Sequence, residues 1–137
     1  MTRVLIACLG FCLILSSISC NSATEAQEEI KAHEKRIMET HDQAMPLIGK
    51  VLSLRKEIQA KLDSCATDGC KDTLQKITYA LTKADADMMN WMRRYKDPAG
   101  ADTALKYLNN QEVAIVEVKD QIVGSIASAE AFLKAGK

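Results

Sequence analysis

Leu74, Ile77, Leu81, Ala84, Met88, Trp91 and Tyr95 follow one another at alternating steps of three and four residues. That spacing keeps seven side chains on one stripe of an α-helix, whereas a strand would bury every second residue. The stripe is the narrow seam of a helix that faces other helices, so it predicts a helix over roughly 70–96 that needs helical partners. Asp97-Pro98-Ala99-Gly100 ends it with turn formers and a proline that cannot continue the hydrogen-bond ladder.

Two further segments can supply those partners. In the first, roughly 24–62, Ile30, Ile37, Ala44, Val51 and Ile58 recur every seven residues, with His41, Ile48 and Leu62 as a companion row. Thr24 with Gln27, or Ser22 with Glu25, fits a capping box at its start. Pro46 interrupts this segment, either kinking one helix or dividing two near Met45. The apolar rows pass through without a phase jump, which favours the kink. In the third, Asp102 suits an N-cap, and Leu105, Leu108, Ile115, Ile122, Ile126, Ala129 and Leu133 form a stripe to about 135. Glu112 and Lys119 fall on it as polar interruptions. The expected fold is all-α: an antiparallel three-helix bundle with a long, Pro46-kinked first helix over residues 25–137.

The N-terminus reads as an address. Arg3 precedes the apolar run 4–15, and the small residues of "SISC" (17–20) follow. A basic start, a short apolar run and small residues make a secretory leader, too short for a comfortable transmembrane helix. "SISC" resembles the lipobox of bacterial lipoproteins, with Ser17 where leucine is usual. The resemblance implies removal of residues 1–19, thioether lipidation of Cys20 and a tether over 20–24. An ordinary cleaved leader beside a spare cysteine is the alternative.

Of five cysteines, Cys8 and Cys12 would leave with the leader and Cys20 would carry lipid. Cys65 and Cys70 remain as one pair in an oxidising compartment, bracketing the turn-forming "ATDG". They are expected to form a disulfide. Redox or zinc chemistry is the competing use, but two cysteines without a neighbouring histidine make half a zinc site.

Removing 19 of 137 residues leaves 118, one small domain. All 18 acids remain against 17 of the 18 bases, since Arg3 departs, so the net charge is −1. Nucleic acid is not expected as a partner, because no basic excess exists to neutralise phosphates. Three bases in "WMRRYK" do not change that balance.

The run "ADADMMNWMRRY" (84–95) gathers three methionines and the chain's one tryptophan. Residues equally distant from a short turn lie level across two helices, which puts His41 beside Trp91 and Met45 beside Met88. Counting across the second turn brings Tyr107 to Glu112 into the same slab, with Met38 one turn from His41. Core packing, with His41 paired to Glu112, is one account of this layer. Cu(I) held by His41, Met45, Met88 and Met92 against the Trp91 face is another, since thioether and imidazole suit a soft ion. An organic or peptide ligand is the third.

Catalysis finds no support. His41 and Asp42 diverge by about 100° on a helix, and no nucleophile falls level with His41. His33 lies eight residues from His41, off its face. Asp85 and Asp87 lie on the polar side of the second helix, and Glu57–Lys61 and Asp72–Lys76 are ordinary i,i+4 surface pairs.

Taken together, "HDQAMPLIGKVLSLRKEI" (41–58) and "ADADMMNWMRRYKDP" (84–98) resemble a family of small predicted lipoproteins of Bacteroidetes-type bacteria. Members are sometimes labelled automatically "viral A-type inclusion protein". His41, Asp42, Met45, Pro46, Met88, Met89, Trp91 and Met92 carry the resemblance. It implies an envelope protein. With the lipobox-like "SISC", the expectation is a non-enzymatic helical bundle held to the membrane through lipidated Cys20, with a binding or structural role toward an envelope protein partner.

Overall fold

A computed structural model describes residues 18–98 and 101–135, with side chains from Thr24 to Pro98 and from Thr103 onward. Most of the expected leader and the Cys20 and Asp102 side chains lie outside the described residues. The described residues form three helices: α1 (Ile18–Asp63), α2 (Asp68–Arg94) and α3 (Ala101–Ala135). Each packs on both of the others.

α1 does not begin at the expected capping pairs. It is already helical at Ile18 and covers residues 20–24, expected as a tether. No glycine or proline stands between Ile18 and Thr24, so nothing there breaks the ladder. α1 also runs unbroken through Pro46, which removes the division near Met45. Proline has no N–H for the carbonyl of Asp42, and Asp42 is exposed, so water can satisfy that oxygen.

α2 is closed at both ends by its own sequence. Thr67 is extended and its hydroxyl accepts from Cys70 N–H at 3.3 Å, with Asp68 in the first turn. Arg93 and Arg94 lie in the last turn, where positive charge faces the negative end of the helix dipole. Beyond it, the Lys96 N–H donates to the Tyr107 hydroxyl at 2.8 Å and fastens the connection to α3. Cys65 and Cys70 are disulfide-bonded across the α1–α2 corner, with Cα atoms 6.1 Å apart.

The core is one apolar column. Ile37, Val51 and Ile58 from α1, Leu74, Leu81 and Met88 from α2, and Leu108, Ile115 and Ile122 from α3 are all fully buried. Burying each such side chain stabilises the fold by about 1.5–3 kcal/mol. Cross-helix contacts mark the register. Between α1 and α2, His41 meets Met92 and Arg55 meets Asp85. Between α1 and α3, Gln43 meets Lys119 and Lys50 meets Glu130. Between α2 and α3, Lys83 meets Gln121.

Candidate functional site

His41 comes together with Trp91 and Met92 on one seam, and Glu112 lies on another. On the α1–α2 seam, His41 Nε2 lies 3.3 Å from Met92 Sδ, and the imidazole centroid is 5.8 Å from the Trp91 ring. Trp91 stacks on Tyr95 at 5.1 Å, and Tyr95 lies 6.3 Å from Tyr107 on α3. Four rings thus form a continuous row from α1 through α2 to α3. Burial pushes the Tyr95 phenol above its usual pKa, with the nearby Glu34 charge adding to the effect.

Trp91 is 5% exposed, and its indole N–H finds no hydrogen-bond partner among the described residues. Buried indoles ordinarily place that N–H on an acceptor, because leaving it unpaired costs about 1–3 kcal/mol. His41 is only 17% exposed and its Nδ1 lies 3.0 Å from Asp42 Oδ1, whose side chain is 73% exposed. The sequence reading placed Asp42 off the His41 face. The two Cα–Cβ directions do diverge, but both residues border solvent, where the carboxylate can fold back along the helix. A carboxylate only accepts, so Nδ1–H donates to it, and in the Nδ1–H tautomer Nε2 carries the lone pair.

Glu112 is not the partner of His41. It belongs to the α1–α3 seam, where Arg36 donates Nε to Oε1 at 2.7 Å and Nη2 to Oε2 at 3.1 Å. His33 Nδ1 lies 2.6 Å from Oε2. Hydrogen bonding from Arg36, then from His33, holds the Glu112 carboxyl below its usual pKa despite partial burial. Equal height above a turn locates the layer but not the direction around the axis. His33 and His41, eight residues apart on α1, therefore face different neighbours. His33 and Arg36 had no signal in spacing, since their partner lies 79 and 76 positions away.

The remaining methionines separate in the same way. Met88 is fully buried in the core, and Met45 is half-buried against it. Met38, expected one turn from His41 on the same face, is 43% exposed. A helical residue three positions from a stripe member stays on the stripe only if that member lies near its centre, and His41 lies at the edge. Among the described residues, no three His, Cys, Asp or Glu side chains gather where they could hold a metal.

A scan against protein-family models and searches of curated proteins and of solved structures find no match to this chain.

Proposed function

We propose that the chain is a non-enzymatic, lipid-anchored binding protein of the cell envelope, working through the His41–Trp91 end of its bundle toward an envelope partner or ligand. Trp91 is the observation that carries the binding role. A buried indole without an acceptor, beside a half-buried imidazole and thioether, is a polar arrangement that core packing alone does not use.

The address rests on Arg3, the apolar run 4–15 and "SISC". The Cys65–Cys70 disulfide fits an oxidising compartment. Among the described residues no helix is long and apolar enough to cross a membrane; the proposed attachment is lipid on Cys20, on the likeness of "SISC" to a lipobox. The bundle is antiparallel in this account. His41–Met92 and Arg55–Asp85 support that arrangement, because α1 positions rise while their α2 partners fall. α1 bends at Pro46, where a ladder hydrogen bond is lost. Ile30 is the first buried residue among the described side chains, so positions 20–29 of the processed chain form a helical stalk of about 15 Å, at about 1.5 Å per residue, between membrane and bundle.

Detergent-phase partitioning after metabolic labelling with a fatty acid tests the anchor. The wild-type protein should carry label and enter the detergent phase, and Cys20→Ala should lose both. A Cys20→Ala protein that still partitions with membranes contradicts this tether.

A further inference from the structure

We propose that the α1–α2 seam holds one soft monovalent cation of the Cu(I) class between His41 Nε2 and Met92 Sδ, with Asp42 as the outer carboxylate that fixes the imidazole. This rests on the binding role assigned above to the same end of the bundle. Two atoms that can each bind a soft ion face each other there. In the Nδ1–H tautomer, which the Asp42 carboxylate at 3.0 Å favours, Nε2 presents a lone pair to a thioether sulfur 3.3 Å away. Sulfur in methionine has no proton to give. Lone pair against lone pair is unfavourable unless a positive charge lies between them, and a cation that accepts both donors supplies it.

The geometry suits coordination. Metal–imidazole and metal–sulfur bonds of about 2.0 and 2.3 Å would subtend roughly 100° at donors with this spacing, leaving further positions open. Thioether and imidazole without a carboxylate cluster select a soft ion over calcium or magnesium. The His41–Asp42 contact is the carboxylate–histidine pairing by which metal sites orient the ring and raise its basicity. Trp91, with its ring centroid 5.8 Å from that of the imidazole, provides an aromatic face near the charge. His41 and Met92 are both partly exposed, so the ion has a way in. Met88 is sealed in the core, so the proposed site uses His41 and Met92 of the four residues expected from the sequence.

Anaerobic titration of the full chain in detergent with Cu(I), against a chromophoric competing chelator, tests this. Trp91, the only tryptophan, reports occupancy by fluorescence quenching. The expected result is one Cu(I) per chain, bound more tightly than about 1 μM. Met92→Leu should weaken binding by roughly 100-fold and the exposed Asp42→Asn by roughly 10-fold, while Met88→Leu leaves it unchanged. Circular dichroism of each variant confirms the fold. No competition at micromolar chelator, or equal affinity in Met92→Leu, overturns the proposal. Failure here with Cys20-dependent partitioning intact removes the cation and leaves the anchored protein. Tight Cu(I) binding with Cys20-independent partitioning removes the anchor and leaves the cation.

Discussion

Trp91→Ala is expected to cost about 3–5 kcal/mol of unfolding free energy, a large share of what a small domain possesses. The indole is buried where α1 and α2 meet, stacked on Tyr95 and set against His41, so truncation leaves a cavity that these two rings border. Trp91→Phe should behave differently. It keeps an aromatic ring in the column and removes an N–H that no protein acceptor satisfies, so its cost should stay below about 2 kcal/mol. Urea unfolding followed by circular dichroism measures both. A Trp91→Ala cost under about 1 kcal/mol would show that the residue does not close the core at this end.

Loss of the Cys65–Cys70 bond is the second large effect. The ring it closes is short, with a sequence separation of 5, and the chain-entropy relation gives about 2 kcal/mol for a loop of that size. For a domain of this length the same figure lowers the melting temperature by roughly 8 °C. Much of the effect should appear at one corner, because Cys65, Cys70, Leu74, Phe132 and Leu133 line a cleft of about 250 Å³ where the α1–α2 connection meets the end of α3. Thermal melts of Cys65→Ala/Cys70→Ala against the oxidised parent, with and without reductant, give the number. A parent that melts at the same temperature in reductant would mean that Thr67 and the helix ends hold the corner unaided.

Much of the fold was legible because helical periodicity reports burial directly. The α2 stripe from Leu74 to Trp91 is buried at every position, and the seven-residue row of α1 from Ile30 to Ile58 is buried throughout. Tyr95 is only half-buried because it lies at the last turn, where the core gives way to the Lys96–Tyr107 connection. Leu54, Ala104 and Val118 were not anticipated as core. Each helix touches two partners, so its buried face is wider than a single seam. Ser125 is also buried, which a polarity pattern cannot anticipate; its hydroxyl donates to the Ile122 carbonyl at 2.8 Å and so enters the core satisfied.

The site was legible in height and not in direction. Counting from the turns brought His41 level with Trp91, and their rings are 5.8 Å apart. The same counting put Glu112 in the layer without showing that it faces Arg36 and His33. Direction around a helix follows from how three stripes interlock, which no single stripe contains. Asp42 was missed for a related reason, since a Cα–Cβ direction does not limit where a flexible carboxylate at the solvent border ends.

The proton position on His41 decides whether the seam is a binding position or only a wall of the core, because an Nε2 without a proton facing sulfur is a site for a cation. Long-range nitrogen–proton correlation NMR of the apo protein in mildly alkaline buffer reads the proton position directly. A neutral ring with its proton on Nδ1 and an unprotonated Nε2 is the predicted result. A proton on Nε2, donated toward Met92, would contradict it.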